Sequence, residues 1–298
     1  MIISASRRTD IPALYSEWMR RRLAAGYCLV PNPYNARQVA RVSLRREDVE
    51  AIVFWTRHAR PAFPLVEVLR ERGTPLYFHY TITGYGRPVE LRAPPVEVAV
   101  ATFRALAARL PSGSVIWRYD PILLGPAFPF DEHALRFRDI ARELEGCTHR
   151  VVVSAVHLYR KSIRRLGELF DWDRDLDPEP IRHPGLEDLF GRLAEIARAH
   201  GLAIEACAQA RSFTAVGVPP TRCIDDRVLA ELSPGPWPTK CDPGQRPACR
   251  CIPSKDIGVV DTCTFGCAYC YATRSDTLAR RRRREHNPSS PVLWGRVT

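Results

Sequence analysis

The chain has 298 residues, 45% of them hydrophobic, which is enough to bury the core of one large domain or two small ones. No apolar run approaches the roughly 20 residues that a membrane helix needs, so we expect no membrane span. The formal net charge of +11 comes almost entirely from arginine, since lysine occurs only at positions 161, 240 and 255. Such a bias is typical of genome composition and is weak evidence for a nucleic-acid partner.

Short apolar runs rich in Val, Ile and aromatic residues alternate with helical patterns along most of the chain. Such an alternation predicts parallel strands joined by right-handed helical crossovers. About eight such units in a chain of this length predict an α/β fold, a (β/α)8 TIM-type barrel or a partial barrel. The predicted strands are 2–5, 27–30, 51–55, 76–82, 114–119, 150–155, 202–206 and 257–261, and the predicted helices are 13–25, 62–72, 95–110, 131–144 and 186–200.

Residues 207–256 depart from this pattern because they are rich in proline and cysteine. A long stretch with little regular structure needs a fastener inside a compact domain, and a metal site supplies one. We therefore expect residues 1–206 to form the main part of the barrel. Residues 207–298 add the cysteine-rich segment, the last strand, a cysteine loop and an arginine-rich tail to the same integrated domain.

Polar side chains follow several predicted strands, at the edge where parallel α/β proteins carry out chemistry. Arg118 and Asp120 are the candidate catalytic residues and are expected to bind substrate or cofactor, although Asp120 before Pro121 also fits a turn. His79 fits a core histidine equally well, and Arg7 and Arg8 fit either surface positions or an anion site. The candidates for binding a cofactor are Ser4, Ser6, Arg7, Arg8, Thr9, Asp10 and Thr56.

Three cysteines near the C-terminus have the spacing Cys263-x3-Cys267-x2-Cys270. Three thiolates on one loop can hold three irons of a 4Fe–4S cluster and leave the fourth open to a small molecule. This spacing resembles that of radical S-adenosylmethionine enzymes, and Gly266 and Tyr269 strengthen the resemblance. Tyr269 is a further candidate for contact with the cofactor, by stacking.

Zinc and disulfides are the alternatives for these cysteines. Structural zinc usually takes two Cys-x2-Cys pairs or Cys/His pairs, and here His286 is the one histidine nearby. The N-terminus lacks the pattern of a signal peptide, so we expect a cytoplasmic protein in which metal sites are favoured over disulfides.

Four segments resemble the family known as domain of unknown function 1848: ISASRRTDIP at 3–12, IVFWT at 52–56, WRYDPI at 117–122, and the cysteine motif with its flanks at 256–272. The resemblance implies a single-domain, barrel-type iron–sulfur protein related to radical S-adenosylmethionine enzymes. Those enzymes carry the cysteine loop after their first strand, whereas here it follows the last. A circular permutation would therefore place the last strand beside residues 2–5, with Ser4, Ser6, Thr9 and Asp10 where such enzymes hold the methionine amino group.

The family pattern also favours a second set of ligands, Cys207, Cys223, Cys249 and Cys251, and leaves Cys241 out. We expect this set to hold a second iron–sulfur cluster, with structural zinc and unligated thiols as the alternatives. Cys28 and Cys147 stand alone and are expected to pack as small apolar residues.

These features predict a radical enzyme that uses a 4Fe–4S cluster and S-adenosylmethionine to generate a 5′-deoxyadenosyl radical, with an electron donor such as a ferredoxin or flavodoxin. The alternatives are a non-radical iron–sulfur protein that binds nucleic acid and a radical enzyme that acts on nucleic acid. Both alternatives depend on the arginine run 280–284, which fits either an anion-facing patch or a solvated helix face.

Overall fold

The computed structural model describes residues 1–33, 35, 37–172 and 174–295. The strands are β1 (Ile2–Ala5), β2 (Tyr27–Pro31), β3 (Val39–Ser43), β4 (Ala51–Thr56), β5 (Leu76–Thr81), β6 (Val115–Ile122), β7 (Arg150–Ala155), β8 (Ala203–Cys207), β9 (Pro220–Thr221) and β10 (Lys255–Asp256). The helices are α1 (Ile11–Leu14), α2 (Ser16–Ala25), α3 (Phe63–Glu71), α4 (Val96–Ala107), α5 (Phe130–Leu144), α6 (Arg160–Gly167), α7 (Leu186–Ala199), α8 (Asp226–Leu232) and α9 (Asp276–Arg284).

Eight strands form one parallel sheet in the order β10-β1-β4-β5-β6-β7-β8-β9. The sheet curls into a half-barrel flanked by helices, so the partial form of the predicted barrel is confirmed. Strands such as β4 and β5 are buried along nearly their whole length, as expected for parallel strands covered on both faces. No helix in the described ranges is long and apolar enough to cross a membrane.

The two faces of the sheet pack against different parts of the chain. Phe54, Phe78 and Trp117 point to the face that the helices cover, and Phe137 of α5 and Phe190 of α7 belong to the same cluster. Alternate strand residues point to the other face, since side chains alternate along a strand. There the sheet residues Ile2, Val53, Tyr77, Ile116 and Val152 pack with Cys223, Ile224, Cys251 and Ile252. The cysteine-rich segment therefore fills the inner side of the half-barrel.

Two predicted strands were wrong in their placement. The strand predicted at 27–30 pairs antiparallel with β3 in a separate hairpin instead of joining the parallel sheet. Its alternating burial is that of a strand with one covered face, and the apolar run alone did not reveal this. The strand predicted at 257–261 is irregular, and the pairing with β1 occurs earlier, at Lys255–Asp256. The predicted helix 13–25 is also divided, with α1 ending before Tyr15.

The segment 207–256 has more regular structure than expected, since it contains β9 and α8. Asp225 begins α8 as its N-cap and accepts a hydrogen bond from the backbone N–H of Arg227. The arginine run 280–284 lies in α9, where Ser275 is the N-cap. The division at residue 206 remains a prediction.

Candidate functional site

The strand that precedes the cysteine loop lies beside β1. Ser4 pairs with Asp256 in the parallel register, which is the neighbour relationship that a circular permutation predicts. The Asp256 carboxylate accepts hydrogen bonds from the hydroxyls of Ser4 (2.9 Å) and Ser6 (2.7 Å) and from the backbone N–H groups of Arg7 and Gly258 (both 2.9 Å). Ser4 and Ser6 therefore fasten the two ends of the chain together, and both hydroxyls already have an acceptor.

Cys263, Cys267 and Cys270 line one cavity of about 290 Å³. Burial raises the pKa of the Cys263 thiol, and burial raises the pKa of Cys267 to about 12 against the opposing charge of Arg57. Both side chains are therefore neutral thiols at pH 7 until a metal displaces their protons. The three cysteines line the same cavity, and cysteine thiolates are the ligands that iron–sulfur clusters take.

Arg165 of α6 holds the cysteine loop by its backbone. Its guanidinium donates to the carbonyl oxygens of Ala268 (3.0 Å), Cys270 and Thr273. The planar guanidinium serves several acceptors at once, which a lysine cannot do in the same way. This contact fixes the backbone around the last of the three cysteines.

A buried ion pair lies behind Cys267. Arg57 Nη2 is 2.9 Å from Glu90 Oε1, and the Tyr269 hydroxyl also donates to Glu90. The backbone N–H of Ala268 donates to the carbonyl of Val89 at 2.8 Å, so the loop is joined to the segment that carries Glu90. Tyr269, predicted to contact a cofactor, is thus engaged with Glu90 and Arg57.

Asp10 joins the segment after β1 to the end of β4. Its carboxylate accepts from the backbone N–H of Ala13 (2.8 Å), the hydroxyl of Thr56 (2.9 Å) and the backbone N–H of Arg57 (2.7 Å). Burial raises the pKa of Asp10 to about 6, although these hydrogen bonds oppose the shift. Asp10 and Thr56 therefore satisfy each other, whereas the buried hydroxyl of Thr9 has no hydrogen-bond partner in the part of the chain that the structure describes.

The second predicted cysteine set lies on the inner face of the half-barrel. Cys207 Sγ is 3.1 Å from Cys223 Sγ, and Cys251 Sγ accepts from the backbone N–H groups of Cys223 (3.3 Å) and Ile224 (3.4 Å). Cys249 is half-buried and packs against the cluster that contains Cys251. The structure brings these four residues together, whereas Cys241 is exposed. Over residues 1–33, 35, 37–172 and 174–295, no three or more Cys, His, Asp or Glu side chains are already arranged to hold a metal ion.

Arg118 and Asp120 lie beside this inner set. Arg118 Nη1 is 2.9 Å from Cys223 Sγ, and the same guanidinium forms an ion pair with Asp120. Asp120 lies within β6 and also accepts from Ser154, so it does more than close a turn. The predicted placement of Arg118 and Asp120 near Cys263 stays a prediction.

Arg7 also faces the inner set, and Arg8 faces the edge of the sheet. Arg7 Nη1 donates to the side chain of Gln245 at 2.8 Å, and its guanidinium carbon is 5.5 Å from the centre of the Trp55 ring. Arg8 donates to the carbonyl of Gly258 at 3.4 Å. Both arginines were predicted as cofactor ligands, a role that no contact in the structure tests.

Sequence reasoning did not select Arg57, Glu90, Arg165 or Asp256. Their partners are far away in the chain, and no local spacing marks them. Of the four, Asp256 was the easiest to find from the sequence, because it lies in the motif that resembles the family.

Comparison with curated proteins and with solved structures gives no match for this chain. The family model described as domain of unknown function (DUF1848) matches residues 2–272, which include every cysteine of both sets. The chain therefore belongs to the DUF1848 family.

Proposed function

We propose that this protein is a radical S-adenosylmethionine-type enzyme in which Cys263, Cys267 and Cys270 hold a 4Fe–4S cluster. The observation that carries the proposal is that these three thiols line one cavity. The position of β10 beside β1 supports it. In radical S-adenosylmethionine enzymes the cysteine loop follows the first strand, and a circular permutation of that order places the strand before the loop beside β1. When bound, the cluster supplies the electron that cleaves S-adenosylmethionine and starts hydrogen abstraction from a substrate.

The residues of the chain serve this chemistry by holding the loop and excluding water. Arg165 fixes the carbonyls around Cys270. The buried Arg57–Glu90 pair lies beside Cys267 and keeps water away from that side of the loop. Exclusion of water strengthens the electrostatic interactions at such a site and suppresses side reactions.

The hydroxyl groups without partners are the best candidates for contact with S-adenosylmethionine. Thr273 lines the cysteine cavity, and its buried hydroxyl, like that of Thr9, has no hydrogen-bond partner among the described residues. Ser4, Ser6 and Thr56 by contrast already donate to carboxylates. We therefore propose that Thr9 and Thr273, rather than these three residues, contact S-adenosylmethionine. An acidic electron donor, such as a ferredoxin or flavodoxin, suits the net charge of +11.

The test is anaerobic reconstitution with iron and sulfide, followed by reduction. The electron paramagnetic resonance spectrum of the reduced protein should change when S-adenosylmethionine is added, and 5′-deoxyadenosine should accumulate. The combined variant Cys263→Ala, Cys267→Ala, Cys270→Ala should lose both responses, whereas Cys241→Ala should keep them. A reconstituted wild-type protein whose spectrum ignores S-adenosylmethionine would refute the proposal.

A second candidate function, binding of nucleic acid, is favoured by the basic surface around the cavity. Arg164 and Arg274 line the cavity, and Arg280, Arg281 and Arg284 are exposed on α9. Binding to single-stranded nucleic acid should then weaken steeply with salt.

Replacing Arg280, Arg281 and Arg284 by Gln should reduce that salt dependence, and replacing three exposed arginines of α5 and α6, Arg138, Arg142 and Arg160, should not. A radical enzyme acting on nucleic acid would show both this binding and cleavage of S-adenosylmethionine.

A further inference from the structure

Two arginines place positive charge against the inner cysteine set. Arg118 is only 6% exposed and donates to Cys223 Sγ at 2.9 Å. Arg7 approaches the set from the segment after β1, and its guanidinium lies 5.5 Å from the ring centre of Trp55, which packs against the cluster that contains Cys207, Cys223 and Cys251. Nε and Nη2 of Arg7 are buried and have no hydrogen-bond partner among the described residues.

This arrangement is costly if the four cysteines remain neutral thiols. A buried guanidinium is destabilising unless negative charge and hydrogen-bond acceptors surround it. Arg118 has Asp120 as a partner, but the side-chain contacts of Arg7 are with a neutral amide, Gln245, and an aromatic ring, Trp55. The carboxylate of Asp256 accepts from the backbone N–H of Arg7 and from three other donors, so its oxygens are already engaged.

Four thiolates around a core with two positive charges supply the negative charge that the two buried guanidinium groups need. Such a centre carries two negative charges in excess, whether the core is one zinc ion or an oxidised 4Fe–4S cluster. Two guanidinium groups match that excess, and their N–H groups are suitable donors to thiolate or sulfide sulfur. Hydrogen bonds to the ligands of a metal are a recognised means of holding it and of setting its redox potential.

We infer that Cys207, Cys223, Cys249 and Cys251 form a second metal centre inside the half-barrel, and that Arg7 and Arg118 are its positioning residues. The backbone around it is also fixed, because Tyr77 donates to the carbonyl of Cys223 at 2.6 Å and His79 Nε2 is 2.7 Å from the same oxygen. The centre does not depend on the proposed function, since it uses none of the three loop cysteines.

Metal content tests the centre directly. The variant Cys263→Ala, Cys267→Ala, Cys270→Ala lacks the loop site, so metal that it retains after anaerobic purification reports on the inner set. Elemental analysis should find about one zinc or about four irons per chain, which separates the two kinds of core. A folded protein without metal after both zinc and iron–sulfide reconstitution overturns the centre, and leaves the proposed function of the loop untouched.

The arginines are tested in the same background. Arg7→Gln and Arg118→Gln should each speed the loss of metal to a chelator by about tenfold or more, as expected for groups that hold metal ligands. Arg8→Gln and Arg138→Gln are the controls, because Arg8 faces the edge of the sheet and Arg138 is 51% exposed on α5, and both should lose metal no faster than their parent. If the centre is a cluster, both arginine variants should also shift its midpoint potential to more negative values. Equal rates in all four variants and the parent would overturn the role of the arginines.

Variants that fold poorly are replaced by Arg7→Lys and Arg118→Lys, which keep the charge but lose the fork of donors. Their rates of metal loss should lie between those of the parent and the Gln variants. Lysine variants that retain metal as well as the parent would overturn the requirement for guanidinium donors.

Discussion

The hydroxyl of Ser6 donates a hydrogen bond of 2.7 Å to the carboxylate of Asp256, 250 positions later in the chain. Ser4 makes the equivalent bond at 2.9 Å, and the two side chains bind opposite oxygens of the carboxylate. This contact holds the strand that precedes the cysteine loop against the first strand. The geometry of the loop therefore depends on residues at the opposite end of the sequence.

Replacing Asp256 by Ala should destabilise both the fold and the loop. Four donors lose their acceptor at once, and hydrogen bonds to a charged group contribute about 1.5–3 kcal/mol each, with losses that do not add. We expect the free energy of unfolding to fall by about 3 kcal/mol in urea titrations, and the loop to lose reconstituted iron faster. Asp131→Ala is the control, because that side chain is 82% exposed and its change should be within about 0.5 kcal/mol. Similar stability of the two variants would contradict this account.

Gly258 leaves no room for a side chain. A Cβ atom at this position would lie 2.0 Å from Ser6 Oγ and 2.6 Å from Ser6 Cβ, so Gly258→Ala must displace the serine from Asp256. We expect a loss of stability of more than about 2 kcal/mol, in the range of overpacked sites. Ser6→Gly should partly restore the Gly258→Ala variant because it removes both clashing atoms. Gly235→Ala should be nearly silent, since a Cβ atom there would meet no other atom within 4 Å.

Arg165→Gln should weaken the loop site with little effect on the sheet. Three carbonyls of the loop lose their donor, and Gln has too few donors to replace the guanidinium. We expect iron to leave the reconstituted protein about tenfold faster, measured by the decay of its visible absorption in the presence of a chelator. Arg160 is exposed on the same helix and does not line the cavity, so Arg160→Gln should leave the rate nearly unchanged. Equal rates for both variants would show that the loop does not need Arg165.

The sequence supported prediction of the sheet better than prediction of the side-chain roles. Buried parallel strands such as β4 and β7 are continuous apolar runs, so their position was visible. The apolar run 257–260 was misleading, because the residues that pair with β1 are the polar Lys255 and Asp256 just before it. Ser4 and Ser6 were predicted as ligands because they are polar and follow a strand. In the structure both hydroxyls donate to Asp256, which lies about 250 positions away, at a separation that local patterns do not report.

Stability should depend on pH through His133, which is fully buried on α5. The Tyr119 hydroxyl lies 2.9 Å from its Nδ1 and the Leu123 carbonyl 2.7 Å from its Nε2, and burial lowers the pKa of His133 to about 4 from 6.5. Below pH 6.5 the unfolded chain binds a proton that the folded chain does not, so stability is lost as pH falls. Between pH 7 and pH 5 this loss is about 2 kcal/mol.

The check is a pair of urea titrations at pH 7 and pH 5 for wild type and His133→Asn. The His133→Asn variant will be less stable than wild type at pH 7. Between pH 7 and pH 5, however, its free energy of unfolding should fall by about 2 kcal/mol less than that of wild type. Comparing the two proteins removes the contribution of the other histidines. A difference between the two pH values that is the same in both proteins would show that His133 is not the titrating group.

Arg57 and Glu90 should behave as one unit. Their side chains are 12% and 3% exposed, and the two atoms that pair are 2.9 Å apart, so removing either partner leaves the other charge buried. Glu90→Gln and Arg57→Met should each lower the free energy of unfolding by about 3–5 kcal/mol. The double variant should lose clearly less than the sum, because neither charge is then left alone. Tyr269→Phe, which removes one donor to Glu90 and keeps both charges, should cost only about 1 kcal/mol. Urea unfolding of the four variants measures all these terms, and additive losses in the double variant would mean that the pair is not coupled.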